Sequence, residues 1–131
     1  MLVSLPIFSD RTPSVLIADD DETILELLAQ GFGMLGCRVF TAENGLDAWA
    51  LFNRRHIDIV LTDIRMPGMD GIHLSRRIRD RSPSVTIGVM TGGDAEVATG
   101  LLEHGTVDHY FAKPFDLIGV CKRLMTALQT A

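Results

Sequence analysis

The chain has 131 residues, of which 47% are hydrophobic and 22% are charged, and its formal net charge at pH 7 is −5. This length predicts a single domain with one core, and this composition excludes intrinsic disorder. The acidic balance, with no broad basic patch in the sequence, disfavours direct contact with nucleic acid.

Strands and helices alternate along the sequence after an irregular leader at residues 1–13, which Pro6 and Pro13 interrupt. The strands are near-continuous apolar runs, a pattern typical of parallel strands that are covered on both faces. Five βα units therefore predict one α/β domain over residues 14–131, with helices on both faces of a parallel sheet. The predicted elements are the strand Ser14–Ala18, a helix from about Ile24 to Leu35, the strand Arg38–Thr41, a helix that begins at Asn44 or Gly45, the strand Ile57–Thr62, a turn at Arg65–Gly68, a helix from Asp70 to Arg79, the strand Thr86–Met90, a helix from Asp94 to Glu103, the strand His109–Ala112 and a helix from Asp116 to Leu128.

Four of the predicted strands end in residues that suit phosphate chemistry. Because parallel strands deliver their carboxyl ends to the same edge of a sheet, we expect these residues to form one site. The runs are VLIA, followed by Asp19, Asp20 and Asp21; IDIVLT, followed by Asp63; TIGVM, followed by Thr91; and HYFA, followed by Lys113.

Three of these carboxylates, those of Asp19, Asp20 and Asp63, are expected to lie within a few ångströms of each other. At an effective dielectric constant near 20, each pair of like charges about 4 Å apart costs on the order of 4 kcal/mol. Such a site binds a cation or takes up protons. Mg²⁺ suits it best, because this ion prefers oxygen ligands and keeps positions open for a phosphate oxygen.

The remaining residues of the predicted site suit a phosphoryl group. Lys113 offers a positive charge and Thr91 a hydroxyl donor, while Gly92 and Gly93 leave room for a group to approach closely. The reaction that fits this set is transfer of a phosphoryl group to the central carboxylate, which forms an acyl phosphate.

The segments VLIADDDE, IVLTDIRMPGMDG, VMTGG and YFAKPF resemble the signature blocks of response-regulator receiver domains of two-component signal transduction. The resemblance extends from Ser14 to Leu128, almost the whole chain. It implies a flavodoxin-like fold, in which a doubly wound parallel sheet of five strands in the order 2-1-3-4-5 is flanked by five helices.

The resemblance also implies a role for each acidic position. Asp63 corresponds to the aspartate that accepts a phosphoryl group from a histidine kinase. Asp20 is expected to bind Mg²⁺ directly, together with Asp63 and the backbone carbonyl of Arg65, and Asp19 mainly through water; Mn²⁺ is the alternative ion.

Further positions correspond to residues that contact the phosphoryl group or respond to it. Thr91, Gly92 and Lys113 are expected to contact the group, and Gly92 stands where alanine is common in the family. Thr91 and Tyr110 correspond to switch residues, although packing at a strand end explains Tyr110 equally well. The Lys113–Pro114 bond corresponds to one that is usually cis, whereas an arbitrary X-Pro bond is cis only about 5–6% of the time.

The implied function is a cytoplasmic signalling switch. Phosphorylation of Asp63 would draw Thr91 towards the phosphoryl oxygens, let Tyr110 turn inward and change the face formed by the fourth helix, fifth strand and fifth helix. The implied partners are a sensor histidine kinase or phosphotransfer protein upstream, and an output domain or separate protein downstream. The domain is then no dedicated enzyme, but it catalyses its own phosphorylation from phosphohistidine and a slow autodephosphorylation. Whether the domain forms a homodimer on activation is left open, because no residue of the sequence indicates one.

Two other functions remain as alternatives. VLIADDDET also fits the opening of haloacid-dehalogenase-like phosphohydrolases, with Asp19 as nucleophile, Asp21 as acid or base and Lys113 as the later lysine. Only Asp116 follows Lys113 as an acidic residue, however, and this interpretation gives Asp63 no role. The other alternative is an adaptor that binds partners without phosphorylation.

Several charged and sulfur-containing residues have structural explanations. Asp21 is expected to cap a helix rather than to bind the metal. The arginines of the third predicted helix are expected on an outward, solvated face. Cys37 and Cys121 lack the spacing of a metal or redox motif and are expected as buried, reduced thiols. No apolar run has the length of a membrane span, so we expect no membrane contact. The arginines of the third predicted helix are Arg76, Arg77, Arg79 and Arg81.

Overall fold

The structure is a computed structural model and describes residues 12–130; for residues 129 and 130 only the backbone is described. Apart from Thr12 and Pro13, the predicted leader lies outside the described residues. The elements are β1 (Ser14–Ala18), α1 (Glu22–Met34), β2 (Arg38–Ala42), α2 (Gly45–Arg54), β3 (Ile59–Asp63), α3 (Gly71–Arg81), β4 (Thr86–Thr91), α4 (Ala95–Glu103), β5 (His109–Ala112) and α5 (Leu117–Thr130). All strand pairs of the sheet are parallel, and the strand order is β2-β1-β3-β4-β5, which confirms the predicted topology.

The two faces of the sheet carry separate apolar clusters, because successive side chains of a strand point to opposite faces. In β1, Leu16 and Ala18 join the cluster beneath α2, α3 and α4, whereas Val15 and Ile17 join the cluster beneath α1 and α5. Each large aliphatic side chain that is fully buried in this way contributes about 1.5–3 kcal/mol. The central strands are thus covered on both sides, as their continuous apolar sequences predict.

Three helices begin at residues whose side chains accept backbone hydrogen bonds from the first turn. Asp21 accepts from the amides of Thr23 and Ile24 before α1, which confirms its predicted capping role. Asn44 and Asp70 act in the same way before α2 and α3. Such caps fix the point at which each loop turns into its helix and contribute about 1 kcal/mol each.

The connection between β3 and α3 folds back tightly over the end of the strand. Gly68 has a φ of +73°, a conformation that favours glycine. The amide of Gly71 donates a hydrogen bond of 2.8 Å to the carbonyl of Ile64. A Cβ atom at Gly71 would lie 2.0 Å from the carbonyl oxygen of Asp63, so a glycine is needed there. This close contact places α3 directly on the end of β3.

The structure corrects the sequence predictions for the start of β3 and for Arg79. Strand β3 begins at Ile59 and not at Ile57, because the carboxylate of Asp58 accepts the Ser14 amide at 2.8 Å in place of a backbone carbonyl. Arg79 does not lie on a solvated face: its side chain is 17% exposed and its guanidinium binds neighbouring loops. The other three arginines of α3, Arg76, Arg77 and Arg81, are exposed as predicted.

The cysteines are free thiols with partly different environments from those predicted. Cys121 is fully buried, but Cys37 is only half-buried, and its Sγ lies 3.3 Å from the Sδ of Met125. Burial raises the pKa of each thiol to about 11, which keeps both protonated near neutral pH.

The single tryptophan of the chain, Trp49, lies on α2. Its ring stacks on Phe52 with 6.2 Å between centroids, and the Arg77 guanidinium lies 5.8 Å from the indole centroid. Trp49 therefore belongs to the contact between α2 and α3. Within residues 12–130, no helix combines the length and the apolarity that a membrane span requires.

Candidate functional site

The residues predicted from the strand ends do meet at one edge of the sheet. Asp19 follows β1, Asp63 ends β3, Thr91 ends β4 and Lys113 follows β5. In the β4–β5 pair, Thr91 is in register with Ala112, and the Lys113 amide donates to the Thr91 carbonyl at 2.7 Å. The parallel register therefore delivers these side chains to a common place.

Three carboxylates cluster at this edge. One oxygen from each of Asp19, Asp20 and Asp63 lies within 4.8 Å of the others. Asp19 is fully buried and Asp63 is 9% exposed, whereas Asp20 is open to solvent. Carboxylate oxygens at this spacing fit a hard divalent cation, and one side of the cluster is accessible to it.

Lys113 binds two of the three carboxylates. Its Nζ donates to Asp19 Oδ2 at 3.0 Å and to Asp63 Oδ2 at 3.2 Å. Burial by itself lowers the pKa of Lys113, but the two carboxylates more than offset this and raise the pKa above its ordinary value. The ammonium group is thus held charged between the carboxylates.

Asp19 has a raised pKa, and burial of its carboxylate is the main cause. The Asp21 amide, which donates to Asp19 Oδ1 at 2.9 Å, and Lys113 both lower the pKa, while the negative charge of Asp63 raises it. Three carboxylates beside one lysine leave an excess of negative charge, which is a condition under which a cation is taken up.

The hydroxyl of Thr91 organises the loop between β4 and α4. Its Oγ1 accepts hydrogen bonds from the amides of Gly93, at 3.2 Å, and Asp94, at 2.7 Å. Tyr110 is half-buried and packs against the cluster beneath α2, α3 and α4, on the strand beside Thr91. The Lys113–Pro114 peptide bond is cis. The roles of Thr91, Gly92, Tyr110 and the Arg65 carbonyl towards a phosphoryl group stay predictions.

An open pocket of about 390 Å³ lies beside Asp63. Two of its residues were not predicted as a pair: the Arg65 guanidinium binds the Asp94 carboxylate through Nε, at 2.7 Å, and Nη2, at 2.6 Å. The hydrogen bonds to Arg65 lower the pKa of Asp94, and those to Asp94 raise the pKa of Arg65. The two residues are 29 positions apart, and no sequence pattern links them. The pocket is lined by Asp63, Arg65, Gly92, Gly93, Asp94 and Lys113.

Comparison with known proteins agrees with this arrangement. The family model described as "Response regulator receiver domain" matches residues 15–125. A CheY-like response regulator receiver domain protein from Methanospirillum hungatei JF-1 shares the fold, with a TM-score of 0.86 at 22% identity over 92% of this chain and 96% of that chain.

Curated relatives lead to the same family. The chain is 36% identical to sporulation initiation phosphotransferase F of Bacillus subtilis strain 168, over 79% of this chain and 83% of that protein. It is 40% identical to part of the sensor histidine kinase RcsC of Escherichia coli K12, over 86% of this chain but 12% of that protein. This chain therefore belongs to the response regulator receiver domain family.

The chain spans a quarter or less of the length of the first curated relatives that it matches. Membership of the family supports a phosphoacceptor switch and not the haloacid-dehalogenase-like alternative.

Proposed function

We propose that this domain accepts a phosphoryl group on Asp63 from the phosphohistidine of a sensor histidine kinase or phosphotransfer protein, and that the modified domain controls an output domain or downstream protein. The observation that carries the proposal is the cluster of Asp19, Asp20 and Asp63 with Lys113 bound between two of them, in a chain of the receiver family.

The metal in this proposal is Mg²⁺. Asp20, Asp63 and the backbone carbonyl of Arg65 would hold it directly, and Asp19 would hold it through water. When bound, the ion supplies positive charge that offsets the carboxylates and the incoming phosphoryl oxygens. The exposure of Asp20 supports this assignment, because it leaves the cluster open to solvent on one side.

The transfer itself needs few protein groups. A carboxylate oxygen of Asp63 forms a bond to phosphorus, the bond from phosphorus to the histidine nitrogen breaks, and its electron pair stays on that nitrogen. Lys113 already lies 3.2 Å from Asp63 Oδ2 and would follow the new charge onto the phosphoryl oxygens. In a separate later step, water attacks the phosphorus, the bond from phosphorus to the Asp63 oxygen breaks, and orthophosphate leaves with the Asp63 carboxylate restored, which accounts for a slow autodephosphorylation.

The switch in this proposal begins at Thr91. A hydroxyl that turns towards the phosphoryl group gives up its hydrogen bonds to the amides of Gly93 and Asp94, which lie directly before α4. Tyr110, one strand away and half-buried, would then change its packing. The face formed by α4, β5 and α5 is the surface we expect a partner to distinguish.

Labelling with a small phosphodonor tests the proposal. The protein is incubated with ³²P-acetyl phosphate and Mg²⁺, and acid-labile label is measured for the wild type and for Asp63→Asn, Asp19→Asn and Asp80→Asn. Asp80 is exposed on α3 and serves as the matched control. We expect label on the wild type and on Asp80→Asn, and none on Asp63→Asn, because only that variant lacks the acceptor carboxylate.

Two other results identify the alternatives. Rapid turnover of small phosphate esters that Asp19→Asn abolishes and Asp63→Asn leaves intact would indicate a phosphohydrolase. The absence of label on every form, in protein shown to be folded, would indicate an adaptor.

A further inference from the structure

Two loops flank the pocket beside Asp63, and one ion pair joins them. Arg65 belongs to the loop after β3, and Asp94 to the loop after β4. Their two parallel hydrogen bonds, of 2.7 and 2.6 Å, form the bidentate arrangement that arginine makes with carboxylates. We call this pair the Arg65–Asp94 bridge.

The bridge is not explained by the capping of α4. Asp94 occupies the position before α4, but its side chain accepts no hydrogen bond from the first turn of that helix. The hydroxyl of Thr91 accepts the Asp94 amide instead. Among the described residues, the Asp94 carboxylate therefore has Arg65 as its partner and no capping function.

The position of the bridge relates it to the pocket. The Asp94 side chain is 15% exposed, so it lies against the protein, whereas the Arg65 side chain is 80% exposed. Both residues line the same pocket as Asp63 and Lys113. The guanidinium thus reaches from one loop across to a carboxylate held at the other.

The rest of that side of the pocket carries little bulk. Gly92 and Gly93 have no side chains, and a Cβ atom at either position would meet nothing within 4 Å. Where two successive glycines leave space, the side chains of Arg65 and Asp94 are the bulky groups that border it. The two side chains that border the pocket on this side are therefore the two that the bridge joins.

We call the pocket beside Asp63 the acceptor pocket. We propose that the Arg65–Asp94 bridge is a gate for this pocket: the bridge limits the approach of a phosphodonor to Asp63 and the approach of water to the acyl phosphate of Asp63. This inference rests on the proposed function. In the first step, the phosphoryl group moves from the donor nitrogen to a carboxylate oxygen of Asp63. In the second, water attacks phosphorus, the bond from phosphorus to the Asp63 oxygen breaks, and orthophosphate and a proton are released while the Asp63 carboxylate is restored. The gate acts on both steps through access, so neither Arg65 nor Asp94 is a catalytic residue.

A purely electrostatic role predicts a different outcome. If Arg65 attracted the anionic donor, its removal would slow phosphorylation, and removal of Asp94 would speed it by leaving Arg65 unpaired. A gate predicts that removal of Arg65 and removal of Asp94 both speed phosphorylation, because either change breaks the bridge. The signs of the two effects therefore separate the two roles.

The test uses Arg65→Ala, Asp94→Ala, the double variant and Arg81→Ala, an exposed arginine on α3, as the control. Rates of phosphorylation by phosphoramidate with Mg²⁺, and of dephosphorylation after removal of the donor, are measured for each. We expect each single variant to be at least about threefold faster in both steps, within the range that one exposed ion pair can supply. The double variant should be no faster than the faster single variant, since both changes remove the same bridge.

The salt dependence of the two rates distinguishes a gate from a merely structural role of the bridge. Raising the NaCl concentration from 50 to 500 mM weakens an exposed ion pair, so the wild type should be accelerated relative to the double variant. Urea unfolding of each variant shows whether its fold is intact.

Opposite effects of Arg65→Ala and Asp94→Ala, additive effects, or unchanged rates in both variants would overturn the gate. Failure of the proposed function is distinguishable, because the wild type itself would then take up no label.

Discussion

Lys113 sets the charge balance of the site at the level of single residues. Its one positive charge lies between the carboxylates of Asp19 and Asp63, while Asp20 adds a third negative group nearby. The raised pKa of Asp19, which burial causes, shows that its ionised form is held at a cost. Clustered carboxylates that end strands in this way cost folding free energy, and such clusters are typical of functional sites.

Ser75 is a buried polar residue without a hydrogen-bond partner. It lies in α3 and is fully buried, and within residues 12–130 its Oγ makes no hydrogen bond. A buried hydroxyl that lost its water without gaining a partner costs about 1–3 kcal/mol. We therefore expect Ser75→Ala to raise the free energy of unfolding by about 1 kcal/mol in urea denaturation.

The control for this prediction is Ser84→Ala, at an exposed position between α3 and β4. It should change the free energy of unfolding by less than about 0.5 kcal/mol, as is usual for surface positions. A loss of stability in Ser75→Ala would show that the hydroxyl has a partner in solution.

His109 makes stability depend on pH. Burial lowers its pKa, the positive charge of Arg123 lowers it further, and Asp108 acts in the opposite direction. Because the folded state binds this proton less tightly than the unfolded state, stability contributed by neutral His109 is present above pH 6.5 and is lost as the pH falls through that value towards the lowered pKa. We expect His109→Gln to lose less stability than the wild type between pH 7.5 and 5.5.

The difference in slope cannot exceed one proton, or about 1.4 kcal/mol per pH unit. An unchanged slope in His109→Gln, measured by urea denaturation at each pH, would contradict the assignment.

Arg79 joins three elements at the edge of the sheet opposite the site. Its guanidinium donates to the carbonyls of Pro83 and Val85 before β4, to the carbonyl of Thr106 after α4, and to the carboxylate of Asp108. The same Asp108 oxygen accepts the amide of Ile87 in β4 at 2.8 Å. The end of α3 is thereby fixed to the amino-terminal ends of β4 and β5.

Loss of these hydrogen bonds should be costly, because the Arg79 side chain is 17% exposed and its bonds to the carbonyls of Thr106 and Val85 are partly buried. We expect Arg79→Ala to lower the free energy of unfolding by about 2–3 kcal/mol. Arg76→Ala, on the exposed face of the same helix, should change it by less than about 0.5 kcal/mol. Equal effects of the two substitutions on the free energy of unfolding would show that Arg79 is a solvated residue, as the sequence predicted.

The contact between α3 and β3 depends on Gly71. A methyl group there would meet the backbone of Asp63, with 2.0 Å between Cβ and the carbonyl oxygen, and backbone cannot move aside cheaply. We expect Gly71→Ala to lower the free energy of unfolding by about 2 kcal/mol or more and to reduce labelling at Asp63, because α3 or the end of β3 must shift.

Gly100 offers the matched comparison, since it lies inside α4 and a Cβ atom there would meet nothing within 4 Å. Gly100→Ala should raise the free energy of unfolding by about 0.5–1 kcal/mol, because alanine loses less backbone entropy in a helix. A Gly71→Ala variant as stable as the wild type would show that the contact can relax.

For the molecule as a whole, the sequence predicted the number, type and order of the elements, and it placed Asp19, Asp63 and Lys113 at one edge. Apolar strands that end in polar residues make this possible, because the parallel direction fixes which ends meet. The strand order came from the family resemblance. The Arg65–Asp94 bridge and the Arg79 contacts could not be predicted, since they depend on how loops lie relative to each other after folding.

In the proposed function, Mg²⁺ would occupy a site that the unfolded chain lacks, so its binding should stabilise the whole domain. At ten times its dissociation constant, such a ligand raises the free energy of unfolding by about 1.4 kcal/mol. We expect MgCl₂ to raise the unfolding midpoint of the wild type, and EDTA to reverse the effect. Asp20→Asn, at an exposed position, should remove most of it, and Asp80→Asn should keep it. An equal response in wild type and Asp20→Asn would place the ion elsewhere.

The position of Trp49 decides how these experiments can be observed. The indole ring contacts Phe52 and the guanidinium of Arg77, where α2 meets α3, and does not line the pocket beside Asp63. Its intrinsic fluorescence is therefore an optical signal of unfolding that is separate from occupancy of Asp63. A fluorophore introduced near the start of α4 would report phosphorylation of Asp63, and its emission could be recorded in the same sample as that of Trp49.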